Sequence, residues 1–266
     1  MKYTVLTLFP EIIDAYFASS IMAKALGRGI IEYRAINIRD YAFDRHKTCD
    51  DAPYGGGPGM LMLAEPLGRA LEAAGAVNHT EAASAAAPAR RVLYLSPSGK
   101  PFDQAMAREL ARVQELVLLC GRYEGIDQRI IDCYVDDEIS VGDYVLSSGE
   151  VATLSLIDAT YRLVEQVITP ASLDEESFDR FLLEYPQYTR PEIYATIRVP
   201  EVLLSGHHEN IRRWRLEKSV EKTLALRPDL IKVGEEHSFF DDETRKIIEQ
   251  KRRDTARGKD ERDQGD

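Results

Sequence analysis

The chain has 266 residues, 44% of them hydrophobic and 30% charged, with a net charge of −11. That length supports a sizeable core and a second, smaller domain, and the balance is that of a soluble globular protein. No apolar run approaches the ~18 residues of a membrane span, and the acidic total argues against a nucleic-acid partner unless basic groups cluster locally. The three cysteines, Cys49, Cys120 and Cys133, have no metal-ligand spacing and read as reduced thiols. The opening residues MKYTVLTLFPEIID lack the apolar core and cleavage site of a signal peptide, which places the protein in the cytoplasm.

Residues 3–9 (YTVLTLF) read as a first strand. Pro10 then starts a helix, where its missing N–H costs nothing, and Ile12, Ile13, Tyr16, Phe17, Ile21 and Leu26 continue at helical period until Gly27 and Gly29 end it. Residues 31–38 alternate as a second strand. Residues 40–60 (DYAFDRHKTCDDAPYGGGPGM) form a long loop, polar and then glycine-rich, and such a loop inside a compact domain is more often functional than idle. It fits neither a dinucleotide-binding fingerprint nor a P-loop. Residues 61–74 read as a helix, and residues 75–90 as a small-residue surface excursion. Residues 92–95 (VLYL) are a third strand, 102–113 an amphipathic helix, and 116–120 (LVLLC) a buried strand. Alternating strands and helices imply an α/β fold with a parallel sheet covered on both faces.

The buried strand opens into Gly121-Arg122-Tyr123-Glu124-Gly125. A short helical segment and an acidic strand, 136–141, follow. That strand opens into a second glycine-bounded turn, 142–149, before an amphipathic helix from Glu150. Two strand ends that open into glycine-bearing loops are a ligand-holding device, since an α/β protein binds beyond the carboxyl ends of its strands and glycine admits a close backbone approach. After residue 163 the character changes. Residues 164–190 read as an extended, acidic linker, with Pro186 and Pro191 disfavouring helix before them. From Glu192 onward the pattern is helical, with another helix over 241–257 and a frayed tail. The run Arg212-Arg213-Trp214-Arg215, with Lys218 and Lys222 one to two turns on, is the best candidate for phosphate contact, and Trp214 reads as core.

The stretches LTLFPE (6–11), DDAPYGGGPGM (50–60), YLSPSG (94–99), LLCGRYEGIDQR (118–129), ISVGDYVLSSGE (139–150), EYPQYTRP (184–191) and LLSGHHENIRRWR (203–215) together resemble the bacterial tRNA (guanine-N1)-methyltransferases that act at position 37, the TrmD family of knotted (SPOUT) methyltransferases. The resemblance covers nearly the whole chain. It implies a parallel sheet whose C-terminal part threads a trefoil knot, a rare exception to the rule against threading, together with a small helical C-terminal domain. It also implies a homodimer with a shared active site. The implied domains are a knotted catalytic domain at 1–163, a linker at 164–190 and a helical tRNA-binding domain at 191–266. The implied cofactor is S-adenosylmethionine, held by Tyr94, Leu95, Ser96, Pro97, Gly121, Tyr123, Glu124, Val141, Gly142, Asp143, Tyr144, Val145, Leu146 and Gly149.

N1 of neutral guanine bears a proton, so methylation there needs a base, and charge developing on O6 needs a cation. The family places an aspartate in the linker just before a Ser-Phe pair. Here Ser177-Phe178 puts Glu176 in that position, a departure of one methylene, with Asp174 and Asp179 as nearby fallbacks. Arg162 matches the family arginine that supports the guanine. Asp50, His46, Arg122, Arg212 and Arg215 are the expected substrate contacts. The family often requires a divalent ion such as Mg²⁺, and the sequence shows no ligand cluster for it, Asp50 and Glu124 being the nearest to candidates. The competing readings are a knotted ribose 2′-hydroxyl methyltransferase and a non-catalytic RNA-binding module. The linker carboxylate and the YTRP segment favour the base methylator.

Overall fold

A computed structural model describes residues 1–80, 89–168, 176–178 and 180–263, the side chains of 256–263 excepted. The chain forms two compact units, Met1–Ile168 and Thr169–Asp266.

The first unit is built on five parallel strands: β1 (Lys2–Thr7), β2 (Glu32–Asn37), β5 (Arg90–Pro101), β6 (Glu115–Cys120) and β7 (Asp137–Ser140), in the order β2-β1-β6-β5-β7. β6 has a strand on each side, and every one of its residues is buried. Its side chains alternate between two cores. Leu116, Leu118 and Cys120 join one, with α1 (Pro10–Phe17), α2 (Ser20–Gly27) and α6 (Gly149–Tyr161). Val117 and Leu119 join the other, with α3 (Ala64–Ala73) and α5 (Gln128–Tyr134). A strand buried on both faces reads as one apolar run rather than as an alternation, which is why LVLLC was legible. Each fully buried leucine contributes about 1.5–3 kcal/mol relative to exposure. At the amino ends of these strands the Glu115 carboxylate accepts Thr4 Oγ1 at 2.8 Å and Arg90 Nε at 2.8 Å, and lies 2.9 Å from Lys2 Nζ.

Several sequence expectations are corrected. The single helix expected from Pro10 is two helices, α1 and α2. The Ser19-Ser20 pair breaks it: Ser19 Oγ donates back to Ala15 O at 2.9 Å, and Ser20 takes φ 52°. The expected helix over 61–74 opens instead with β4 (Leu61–Met62), paired antiparallel with β3 (Asp50–Asp51), so the loop of 40–60 carries structure of its own. β5 runs past Leu95, because Ser96–Gly99 bulge out between the two residues, Leu95 and Lys100, that both register with Ile139. α4 (Gln104–Leu110) is shorter than expected and is capped by Asp103, whose side chain accepts the Met106 N–H.

In the second unit, residues from Glu192 do not start as helix. β8 (Ile193–Tyr194) and β9 (Ile197–Arg198) form a hairpin, with Ala195 and Thr196 both at positive φ. Two positive-φ residues suit the two-residue turns that match strand twist, but Ala-Thr lacks the Asn-Gly or Asp-Gly signal that advertises such a turn. Then come α7 (Glu201–Leu204), α8 (His208–Leu226), α9 (Pro228–Glu236) and α10 (Asp242–Asp263). α10 continues through residues expected to fray, since Gly258 costs only ~1 kcal/mol within a helix. Leu182, Val220, Ile231, Phe240, Ile247 and Ile248 make this unit's core.

Candidate active site

The bulged middle of β5 and the carboxyl ends of β6 and β7 converge on one cleft of about 320 Å³, within the size range of small-molecule sites. The three loops meet because two glycines permit it. The Gly149 N–H donates to Gly121 O at 2.8 Å, and a Cβ on Gly149 would lie 2.6 Å from the Gly121 nitrogen and 2.9 Å from Cys120 Cα. A Cβ on Gly121 would lie 2.9 Å from the Tyr94 ring. The glycines therefore let the loops pack closely, and the lining mixes glycines, serines and apolar side chains with the charged Arg122 and Glu124. That suits an adenosine and an amino-acid tail, so the lining fits S-adenosylmethionine.

Of the expected cofactor contacts, Tyr94, Leu95, Ser96, Pro97, Gly121, Tyr123, Glu124, Val141, Gly142, Tyr144, Val145, Leu146 and Gly149 all line this cleft, as does Arg122. Asp143 does not. It is the apex of a three-residue turn closed by Tyr144 N–H to Gly142 O at 2.8 Å, and its side chain is exposed. Ser98, Gly125, Ile139, Ser140, Ser147, Ser148 and Ala152 also line the cleft without having been singled out. Ser147 and Ser148 carried a signal, since they sit within the glycine-bounded turn of 142–149. Burial, with the Glu138 carboxylate adding to it, pushes the Tyr94 phenol up to about 12, so it is protonated at neutral pH. Burial likewise raises the Cys120 thiol, which hydrogen-bonds Thr153 Oγ1 at 3.2 Å, and keeps it unreactive.

The glycine-rich loop is stitched to the central turn by its backbone. Glu124 N–H donates to Met60 O at 3.0 Å, Met62 N–H to Gly125 O at 3.0 Å, and Asp127 N–H to Met62 O at 3.2 Å. This brings Asp50 to Tyr123, which itself lies at φ 57°. The Tyr123 phenol is raised by burial and by its hydrogen bond to Asp50, with Arg39 pulling the other way. His46 is exposed in a turn where the Asp44 carboxylate accepts its N–H at 3.2 Å. Arg162 is the C-cap of α6.

Behind the cleft lies a buried polar group. Glu150 in the first turn of α6 is fully buried, and its Oε1 accepts Thr7 Oγ1 at 2.6 Å. The same hydroxyl accepts the Phe9 N–H at 2.9 Å. Glu150 Oε2 faces Arg122 Nε at 3.7 Å, and the Arg122 guanidinium lies 4.4 Å over the Phe9 ring.

In the second unit Glu176 is half-buried, next to Ser177, whose Oγ accepts the Glu184 N–H at 3.0 Å. Asp174 and Asp179 lie outside the described residues. Most cations of the basic run on α8 are matched by carboxylates on α8 and α10. Arg212 reaches both Glu209 and Glu243 at 2.7–2.8 Å, Arg213 meets Glu217 at 3.0 Å, and Lys218 meets Glu221 at 2.9 Å. Arg215 stacks over Tyr185 at 4.8 Å, and Trp214 is half-buried beside Tyr188. Among the described residues no group of three or more His, Cys, Asp or Glu side chains converges as a metal cage, and no helix is long and apolar enough to cross a membrane.

Comparison with known proteins agrees with this organisation. The profile described as tRNA (Guanine-1)-methyltransferase TrmD matches residues 1–233. A protein of Treponema denticola named tRNA (guanine-N(1)-)-methyltransferase is 58% identical over 250 residues, covering 94% of this chain and 98% of that one. Proteins of the same name from Treponema pallidum and Borreliella burgdorferi are 55% and 54% identical, covering 94% and 90% of this chain and 96% and 98% of theirs.

Proposed function

The chain belongs to the tRNA (guanine-1)-methyltransferase TrmD family, and from that membership we propose that it transfers the methyl group of S-adenosylmethionine to N1 of guanine at position 37 of tRNA, next to the anticodon. The observation that carries the reading is the convergence of the 94–97, 121–124 and 141–149 loops on one glycine-lined cleft. When bound there, S-adenosylmethionine supplies a methyl group made electrophilic by its sulfonium. The loops' backbone amides and carbonyls hold the adenine edge and the amino-acid tail, and the neutral Tyr94 phenol and Leu95 close one wall.

The protein's own work is to expose N1 as a nucleophile. Glu176 takes the N1 proton, and the Arg162 guanidinium stabilises the negative charge that grows on O6. Glu176 has one methylene more than the aspartate found elsewhere in the family, which lengthens its reach from the backbone. Arg122, Asp50 and His46 contact the target nucleotide and its neighbours. Arg212 and Arg215 meet phosphates, and their present carboxylate and aromatic partners are exchanged for phosphate oxygens when tRNA binds. The enzyme works in the cytoplasm as a homodimer that shares its active site. The C-terminal part of the 1–163 catalytic domain threads a trefoil knot, residues 164–190 link, and residues 191–266 bind tRNA. The described residues offer no all-protein cage for Mg²⁺.

The test is incubation with methyl-labelled S-adenosylmethionine and unmodified tRNA, followed by digestion to nucleosides. Label in 1-methylguanosine is expected. Label in a 2′-O-methylated nucleoside would make the protein a ribose methylator, and cofactor binding without transfer would make it a binding module.

A further inference from the structure

A carboxylate with no solvent access is costly unless it is matched. Glu150 is such a group, and its Oε2 and the Arg122 Nε opposite are buried atoms with no hydrogen-bond partner among the described residues. They face each other at 3.7 Å, too long for a hydrogen bond but close enough for strong attraction. Folding alone does not call for this pair, because two apolar side chains of similar volume are often as stable or more so. The other half of the arrangement explains it. Arg122 lines the cleft, and the S-adenosylmethionine proposed to bind there carries a permanent positive charge. A lone guanidinium in that wall would repel a sulfonium.

We propose that Glu150 is a positioning residue. It fixes Arg122 against the Phe9 ring and cancels the guanidinium's charge toward the cofactor, so that the cleft can hold an arginine donor for the nucleotide and a sulfonium in the same space. Thr7 holds the carboxylate in turn through its hydroxyl, which the Phe9 N–H orients. This rests on the reading of the cleft as an S-adenosylmethionine site. It has a consequence that a merely structural Glu150 would lack. The methylated cofactor is a cation, whereas the demethylated product S-adenosylhomocysteine is a neutral thioether of nearly the same shape. Charge cancellation favours the first and leaves the second untouched.

The experiment is titration calorimetry of the full chain with each of the two ligands. Glu150→Gln, which keeps the shape and removes the charge, lowers affinity for S-adenosylmethionine about tenfold more than affinity for S-adenosylhomocysteine, the scale of one unit charge acting over ~10 Å at an effective dielectric of ~20. In the double variant Arg122→Met/Glu150→Gln the ratio returns to the wild-type value. Thr7→Val, which removes a hydrogen bond but no charge, lowers the melting temperature and leaves the ratio unchanged. A ratio that stays at the wild-type value in Glu150→Gln, or a double variant that keeps the Glu150→Gln ratio, overturns the proposal while the cofactor reading stands. A wild-type protein that binds neither ligand overturns both.

Discussion

Gly149→Ala is the smallest change that tests how the cleft is built. The added methyl would sit 2.6 Å from the Gly121 nitrogen and 2.9 Å from Cys120 Cα. Both are backbone atoms at the end of β6, a strand paired on each side, so neither can swing away as a side-chain tip would. Relief requires the start of α6 to move off β6. That stretches the Gly149 N–H to Gly121 O bond, 2.8 Å long in the structure. Overpacking costs ~1–3 kcal/mol and a lost hydrogen bond ~0.5–1.5 kcal/mol, which together give a destabilisation of about 3 kcal/mol. The same motion parts the 121–125 and 142–149 loops, so cofactor affinity falls with stability. Urea denaturation and calorimetric titration of S-adenosylmethionine measure the two effects. Gly27→Ala is the control, because a Cβ there at the last residue of α2 meets nothing within 4 Å, and it leaves stability within about 0.5 kcal/mol of the wild type. A Gly149→Ala protein as stable as the wild type, with unchanged cofactor affinity, would refute the claim that the two loops are held by this contact.

Three further predictions follow from particular side chains. Burial pushes the Glu115 carboxyl up, and the donors Lys2, Thr4 and Arg90 outweigh it, so the pKa ends below the ordinary value. A depressed folded-state pKa means stability that is present above the unfolded pKa of ~4.3 and lost as pH falls through the folded value. Glu115→Gln therefore costs about 2 kcal/mol at pH 7, and the gap to wild type narrows in denaturation curves as the pH falls below the unfolded value of ~4.3. A gap independent of pH would contradict it. Glu176→Gln slows methyl transfer by ~10²-fold or more while cofactor affinity stays within twofold, and single-turnover kinetics with unchanged transfer would remove Glu176 from the role of base. Arg212→Ala and Arg215→Ala each weaken tRNA binding and lower the slope of log affinity against log salt by ~0.9, and an unaltered slope in filter binding would take that helix out of the phosphate contact.

The features legible in the sequence were those set by composition over short windows. The LVLLC run of β6 and the glycines of 121–149 are dictated by burial on two faces and by close backbone approach, and both leave plain marks. The features that were missed depend on partners far along the chain. Leu61-Met62 is a strand only because Asp50-Asp51 and Ile126 lie beside it. Ile193–Arg198 is a hairpin around an Ala-Thr turn that no local rule favours. Asp143 sits amid cleft residues in sequence, but a three-residue turn aims it at solvent. The basic run on α8 reads as a cationic patch from spacing alone, yet Arg212 is held by Glu209, one turn back, and by Glu243, which lies 31 residues on. Glu150 follows the last glycine of the loop, and nothing in its position announces that it is fully buried behind Arg122. Helical periodicity, moreover, survives two serines that break the helix at residues 19–20.

The most direct measurement is methyl transfer from labelled S-adenosylmethionine to two unmodified tRNA transcripts that differ only at position 37, guanine in one and adenine in the other. Label on the guanine transcript alone, recovered as 1-methylguanine, is the predicted result and establishes donor, target and position together. Equal label on both transcripts, or none on either with the cofactor still bound, would contradict the account.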